Sequence, residues 1–445
     1  MPRLSFAAEL RGTPMSSNMK AAAASVVSHR RFIIYILLFA MTLVNYFDRV
    51  VLSVALPVLR DTFSLSPVAA GYLLSAFIWT YAPMQVPAGM ILDRWGTRRT
   101  AAICLTFWSA ATALAAASFS FVWLLSTRLL LGVGESPTFA LGARAVREWA
   151  PVKERAYAMS IFASGPAFGT AVGAALIGWL IGVVGWRMSF VLSGAMGGIW
   201  VLVWLAFFRD PERASWLPEA ERKLILTERS PGGATHGSAM TLRELLSYQT
   251  MWGLFLTQGC VNYTQYLFLT WLPSYLVQSR GMNILHSGLD TGITYLGAGV
   301  LTIVFGRICD ALMTPEAVRA GKRRYAVVIL ALGAAVMAYA PFTQSQTLLL
   351  ALLMVSLACV QSVFVNTYSL TNDLLYAGRT IGTAIGWVQF GGNIFGLAAP
   401  ICTGYIVAAT GSFTSAFMLA GGLLIAGALI MLTMTHRPVG VPDAA

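Results

Sequence analysis

Runs of about twenty apolar residues follow one another along nearly the whole of this 445-residue chain. A helix rises 1.5 Å per residue, so each run is long enough to cross the ~30 Å hydrocarbon core of a bilayer. Backbone polar groups in that core must be paired within the segment, which makes helices the expected form. Twelve spans can be delimited: Phe32 to Leu59, Val68 to Leu92, Thr100 to Phe119, Phe121 to Ala143, Ala156 to Val184 and Met188 to Phe208, then Thr250 to Leu276, Leu289 to Ile308, Ala326 to Ala340, Leu348 to Leu370, Ile381 to Ala409 and Ala416 to Met434. Charged residues make up 11% of the chain and hydrophobic ones 57%. That is too little charge to solvate a soluble domain of this length. The sequence therefore reads as an all-α polytopic membrane protein.

The net charge of +12 lies mostly in alternate loops. Arg94, Arg98 and Arg99 fill one, Arg144, Arg147, Lys153 and Arg155 the next, and Arg319, Lys322, Arg323 and Arg324 a later one. The loops between carry chiefly Arg60, Arg187 and Arg280. By the positive-inside rule the basic loops and both termini are expected to be cytoplasmic. The basic balance then reports topology, and no nucleic-acid partner is expected. Residues 1–31 are polar and lack an apolar core, so a disordered cytoplasmic tail is expected rather than a secretory signal. Residues 32–208 form one six-span bundle and 250–435 a second, with a cytoplasmic linker at 209–249 and a tail at 436–445. Within the linker, RDPERASWLPEAERKLI suits a short amphipathic surface helix and SPGGATHGS a flexible segment. Cys104, Cys260, Cys309, Cys359 and Cys402 all fall in or beside apolar spans without metal-ligand spacing, so they read as small packing hydrophobes. No metal site is expected, and the chain is expected to be monomeric.

The halves repeat. The second span ends GMILD, with Gly89 and Asp93, and the eighth ends GRICD, with Gly306 and Asp310. Gly165, Gly178 and Gly185 match Gly391, Gly404 and Gly411, each pair 226 positions apart (391 − 165, 404 − 178, 411 − 185). Internal repeats of this kind mark secondary transporters, whose substrate site lies between the halves at the midplane.

The segment GMILDRWGTRR, Gly89 to Arg99, resembles the signature between helices 2 and 3 of the major facilitator superfamily. RLLLGVGESP, Arg128 to Pro137, and NYFDR, Asn45 to Arg49, together resemble the anion:cation symporter family. That family includes bacterial galactonate, glucarate and hexuronate importers and animal sialic-acid and vesicular glutamate transporters. The resemblance covers essentially the whole chain. It implies twelve transmembrane helices in two pseudo-symmetric six-helix bundles, in the inner (plasma) membrane.

Four ionisable residues fall well inside spans: Asp48, Arg49, Arg128 and Glu135. A charge at the bilayer centre costs at least about 2.5–3.5 kcal/mol, so such residues are usually functional. Arg128 and Glu135 are seven apart, nearly two turns, and face the same way. Thr42, Tyr46, Arg49 and Ser53 form one stripe on the first span, with Asp48 beside it. One reading is a pair of structural ion bridges locking two helices. The other uses the charge sum: two acids and two arginines cancel, so protonating either acid leaves an arginine free to favour an organic anion. Proton and anion binding then assist each other. The resemblance implies the second reading, with Asp48 and Glu135 as proton carriers and Arg49 and Arg128 tied to carboxylate recognition and coupling. It also implies that Tyr81 and Gln85 face the cavity; Tyr46, on the stripe with Arg49, is a further candidate substrate contact.

The second half carries neutral polar stripes and no ionisable residue mid-span, tyrosine and cysteine set aside: Asn262, Tyr266 and Thr270, then Ser362, Asn366 and Ser369, then Gln389 and Asn393. Hydroxyls and amides suit the neutral part of a polyhydroxylated substrate; interhelical hydrogen bonding is the alternative use. Asn262, Tyr266, Ser369 and Asn393 are the candidate contacts. Sugar-acid members of the family tend to carry a glutamine on helix 5 where this chain reads SGPA, Ser164 to Ala167, and Pro166 there is expected to reshape the cavity or kink the helix. Gly89, Asp93, Arg94, Gly96, Arg98 and Arg99 read as a conformational latch for the outward-open state. Asp93 can pair at a helix end and the arginines can reach helix C-termini.

His29, His236, His286 and His436 lie in tails, loops or a span edge, and no phosphate-binding Gly-Lys motif is present. Neither an enzyme nor ATP-driven transport is expected. The expectation is a proton-coupled importer of an organic anion, sugar acids first, with protons as coupling ion and no cofactor. The alternatives are a dicarboxylate or aromatic-acid carrier, or a membrane receptor that senses a carboxylate without moving it.

Overall fold

The computed structural model describes residues 29–228, 240–314, 316, 321–375 and 381–440. Helix α1, Phe32–Phe63, is one span. Helix α2, Pro67–Leu114, has 48 residues, about 72 Å of rise, more than twice the hydrocarbon core. It is two spans bent at Gly96, whose φ of 75° and ψ of 169° are open to glycine and few other residues. The fourth span is split into α3, Phe121–Glu135, and α4, Thr138–Trp149. Helix α5, Arg155–Phe207, is again two spans, bent at Gly185 with φ 78° and ψ 166°. Two short helices, α6 (Glu219–Glu228) and α7 (Leu242–Ser247), lie in the central connection. The second half comprises α8, Gln249–Arg280, α9, Ile284–Leu312, α10, Arg323–Ala334 with its 3-10 extension Ala335–Phe342, α11, Gln346–Leu374, α12, Ile381–Thr410, and α13, Thr414–Met434.

The described residues thus supply twelve spans, six in each half, and no strand. Eight helices are long and apolar enough to cross a membrane by length and hydropathy alone. Two of them, α2 and α5, count twice. The other two spans are α3 with α4, cut at Ser136 and Pro137, and α8, diluted by buried Thr257, Gln258, Asn262 and Thr264.

The repeat is visible in the backbone. Ser64, φ 50°, ends α1, and Gly281, φ 66°, ends α8, 217 positions later (281 − 64). The G-x-x-x-D ends have the same offset (306 − 89 and 310 − 93). Gly185 and Gly411, 226 apart, both have positive φ.

The halves meet on the face opposite the basic loops. A Cβ on Gly71 would lie 2.6 Å from the Pro400 carbonyl oxygen, and one on Gly404 2.5 Å from that of Pro67. A Cβ on Gly288 would lie 2.5 Å from the Ala174 carbonyl oxygen. The Tyr72 and Tyr405 hydroxyls stand 3.3 Å apart across the same seam. On the basic-loop face, Gly89 and Gly306 have nothing within 4 Å of a Cβ position. The molecule is therefore sealed on the face opposite the basic loops, and on the basic-loop face no glycine among the described residues makes such a close approach between the halves.

This seal makes a prediction. Gly404→Ala puts a methyl against backbone, which no rotamer change relieves; overpacking of this kind costs about 1–3 kcal/mol. The substitution should move the population toward the state open on the other face by roughly tenfold, since 1.4 kcal/mol is a factor of ten. Spin-label distances across each face measure the shift; unchanged distances would show that backbone contact does not set the seal.

One expectation is corrected here. Residues 30 and 31, expected in a disordered tail, are docked. Arg31 is 2% exposed and its guanidinium donates to Glu154 (2.6 Å) and Glu221 (2.7 Å). The bond from Arg31 holds the Glu154 carboxyl below the usual carboxylate range. The linker helix α6 is the expected amphipathic surface helix, with Glu221 and Ile225 buried against the first half and Glu219 and Lys223 exposed. Trp216 stacks on Trp149 at 5.3 Å and 6° beside it. In the tail after residue 435, Val439 is buried and its N–H donates to the Leu374 carbonyl at 2.8 Å. The rest of the first tail, the SPGGATHGS run with His236, Arg319 and residues 441–445 lie outside the described residues.

Candidate functional site

Helices α1 and α3 bring the four buried charges together, but as one ion pair and not two. Arg49 Nε donates to Glu135 Oε2 at 2.8 Å, with both side chains buried. The Arg49 guanidinium carbon lies 4.7 Å from the Tyr46 ring centroid, 4.4 Å from Phe77 and 4.9 Å from Tyr81. Three rings thus cage one cation, and Phe77 stacks on Tyr81 at 4.9 Å. Cation–π contacts strengthen when desolvated, so the cage holds the guanidinium without neutralising it. Arg49 Nη2 and Glu135 Oε1 remain buried with no hydrogen-bond partner.

Arg128 and Asp48 interact electrostatically but form no ion pair. Arg128 Nη1 donates to the Asp48 main-chain carbonyl at 3.4 Å. Arg128 Nε and Nη2 are buried without a hydrogen-bond partner, and the buried Asp48 carboxylate has only the Trp108 indole N–H beside it, beyond the reach of a good hydrogen bond. Unmet buried hydrogen-bonding groups cost about 1–3 kcal/mol each, more when charged. A bridge built only to lock helices would not leave so many.

Arg49 and Arg128 face one chamber, walled mainly by Leu52, Leu74, Leu131 and Leu269, with Tyr266 contributed by the second half. The space open to the centre of a water molecule there is about 30 Å³. Charges in so small and apolar a chamber are weakly screened.

The helix break after Glu135 follows from Pro137, which lacks the N–H a continuous helix would need. The carbonyl this leaves open, that of Val133, accepts from Ser136 Oγ at 2.8 Å, and Thr138 Oγ1 donates to the Glu135 carbonyl at the helix end at 2.7 Å. Pro166 has a parallel effect with a different outcome. It cannot donate to the Phe162 carbonyl one turn back, and Thr42 Oγ1 donates there instead, at 2.8 Å. Helix α5 keeps helical torsions through Pro166 and bends at Gly185. Thr42, expected on the site stripe, is thus turned toward the fifth span.

In the second half most of the expected stripe bonds to its own helix. Thr270 donates to the Tyr266 carbonyl, Ser362 to Ala358, Asn366 to Ser362 and Ser369 to Val365. Asn262 packs against Gly392. Asn393 is buried and accepts from Gln389 Nε2 at 3.4 Å, while the Tyr368 hydroxyl donates to Gln389 Oε1. Gln85 is half-buried.

Sequence reasoning missed Phe77, Tyr368 and Asp290. Phe77 lies four residues before Tyr81, on the same helix face, and that spacing was the available signal. Asp290, at the edge of the expected eighth span, falls outside the expectation of no ionisable residue mid-span. Helix α9 starts at Ile284, five residues before the expected Leu289, so Asp290 lies in its second turn, 8% exposed, accepting from Gln346 at 2.8 Å.

In the loop signature, Arg144 donates to Asp93 at 3.1 Å, and Arg98 donates to the Phe208 and Leu205 carbonyls at 2.7 and 2.6 Å. Arg98 thereby caps the end of the sixth span, as the C-terminal end of a helix dipole favours. Arg94 and Arg99 are exposed.

Two six-span halves, sealed on one face around a buried charge cluster, define a polytopic membrane transporter. A profile of the Major Facilitator Superfamily matches residues 38–375 and 291–444, and the chain belongs to that superfamily. It is 30% identical to a probable galactarate/D-glucarate transporter of Escherichia coli, over 91% of this chain and 94% of that protein. It is 30% identical to a probable sulfoacetate transporter of Cupriavidus necator (88% and 91% covered) and 29% identical to a D-galactonate transporter of Escherichia coli (92% and 97% covered). Among solved structures, a bacterial homolog of the lysosomal transporter Spinster, inward-facing, superposes with TM-score 0.70 at 19% identity, covering 92% of this chain and 96% of that one. The inward-open xylose transporter of Escherichia coli gives 0.71 at 15% identity, with 92% and 97% covered. The protein is thus a transporter and not an enzyme.

Proposed function

We propose that this transporter is a proton-coupled symporter importing an organic anion, with a sugar acid or related carboxylate as substrate. The observation that carries the proposal is the caged Arg49–Glu135 pair, with uncompensated Arg128 and Asp48 beside it. The substrates named for similar proteins, galactarate, glucarate, galactonate and sulfoacetate, are all organic anions. In this reading Arg49 and Arg128 attract the anion, and Asp48 and Glu135 carry protons. Each proton bound cancels one acid and leaves one arginine to be met by substrate charge. Tyr46, Tyr81, Gln85, Asn262, Tyr266, Ser369 and Asn393 frame the remainder of the substrate. Asp93, Arg94, Arg98 and Arg99, with Gly89 and Gly96, govern closure of the basic-loop face. That face is cytoplasmic, so the described state is inward-open, and one chain suffices for transport.

The test is uptake into proteoliposomes. An inside-alkaline pH gradient should drive accumulation of labelled galactarate or galactonate, and collapsing the gradient should abolish it. A panel of carboxylates that neither binds nor moves under any gradient would overturn the proposal.

A further inference from the structure

The NYFDR segment carries one more polar side chain, Asn45, beside the charges. Asn45 is 0% exposed, and neither its amide oxygen nor its amide nitrogen has a hydrogen-bond partner. An unmet buried amide costs stability. Leucine has the same branched shape and would fill the place without that cost. Asn45 lies one turn before Arg49 on α1, on the same face. Helical side chains lean back toward the helix N-terminus, so the Arg49 guanidinium extends over the turn that carries Asn45. There Arg49 Nε meets Glu135 Oε2 at 2.8 Å. Glu135 is itself fully buried, and its other oxygen, Oε1, has no partner. The Asn45 amide interacts with the Glu135 carboxyl but stands just beyond a good hydrogen bond. The other charged groups around this carboxyl are Arg49 and Asp48 on α1 and Arg128 on α3, with Tyr46 and Tyr266 also in range.

We infer that Asn45 is a positioning residue for Glu135, whose carboxyl its amide takes over when Arg49 turns to the substrate. This rests on the proposed proton-coupled carriage of an organic anion and adds the group that lets the Arg49–Glu135 pair open. The N–H that Arg49 gives to Glu135 is not free for a substrate carboxylate. Releasing it leaves a buried carboxyl to be held by something else, whether ionised or protonated. Arginine only donates, so it offers no acceptor to the proton of the acid form. An amide meets both states. It donates through Nδ2 to the ionised acid and accepts through Oδ1 from the protonated one. The first bond is charge-assisted and roughly twice as strong as the second.

Exchange of labelled for unlabelled galactarate tests this, in proteoliposomes containing the full chain. Asn45→Leu keeps the shape and removes both bonds. At a pH where Glu135 is ionised it should raise KM about tenfold, the loss expected for one bond to a charged group, with the change in KM and not in maximal rate. As pH falls and Glu135 takes up its proton, the ratio to the unaltered protein should shrink to about threefold, because the lost bond is then a neutral one. In a Glu135→Gln background, which mimics the protonated acid, the ratio should be about threefold at every pH. Asn45→Ala, which cannot overpack the site, should show the same pattern. Leucine relieves the unmet amide, so Asn45→Leu should melt no lower than the unaltered protein. One ratio at every pH and in both backgrounds, or an unchanged KM, makes Asn45 a packing residue and overturns the inference while leaving the symporter intact. A pH gradient that drives no uptake would remove proton coupling, and a KM ratio that still varied with pH would uphold the positioning role. Failure of the unaltered protein to exchange galactarate or galactonate overturns both.

Discussion

With Glu135→Gln, uphill uptake driven by a pH gradient falls to the equilibrium level, while exchange of labelled for unlabelled substrate across the membrane persists. Glutamine matches the shape of the protonated acid, and its amide oxygen can still accept from Arg49 Nε, now 2.8 Å from Glu135 Oε2. The site then behaves as though permanently proton-loaded. It can bind substrate and turn from one face to the other, but position 135 has no proton to release, so the proton left on Asp48 is no longer tied to a complete load-and-release cycle. One pH unit is worth about 1.4 kcal/mol, so each coupled proton supports roughly tenfold accumulation, and the variant should lose that factor completely. Counterflow needs only binding and reorientation, and it separates lost coupling from lost folding. Continued accumulation in the variant would remove Glu135 from the coupling path.

The pair behind this result was half legible in the sequence. Four charges within apolar runs stood out because a bilayer penalises them, and the seven-residue spacing of Arg128 and Glu135 placed them on one face. Which charge met which could not be read, because partners 86 positions apart are set by helix packing. The aromatic cage was hidden for another reason: in a chain that is 57% hydrophobic, the four-residue spacing of Phe77 from Tyr81, its one signal, is lost against the background. Spans were legible wherever their apolar runs were long. Boundaries were not: α9 starts at Ile284, five residues before the expected Leu289, which moves Asp290 from the edge of the span into the second turn of the helix. Thr42 was misplaced because its partner, the carbonyl left open by Pro166, belongs to another helix. The docking of Arg31 on Glu221 links residues 190 apart and leaves no trace in either local segment.

Arg49→Ala should weaken binding of every anionic substrate by at least about a hundredfold, equivalent to roughly 2.7 kcal/mol, within the range expected when a charged partner is removed from a buried site. The alanine also strands Glu135, and breaking a buried pair by deleting one partner costs about 3–5 kcal/mol. Weak binding by this variant alone is therefore ambiguous between recognition and folding. Arg49→Ala combined with Glu135→Gln removes the stranded charge, so thermal stability should return toward that of the unaltered protein while binding does not. Arg49→Lys keeps the charge but has neither the planar fork that donates to Glu135 nor the flat face held between Tyr46, Phe77 and Tyr81. It should bind weakly and couple poorly. Calorimetric or fluorescence titration of the three variants with one carboxylate, alongside their melting curves, separates the two roles. Recovery of affinity in the double variant would make Arg49 a structural partner of Glu135 and move anion recognition to Arg128, whose Nε and Nη2 are the other unmet guanidinium donors in the chamber.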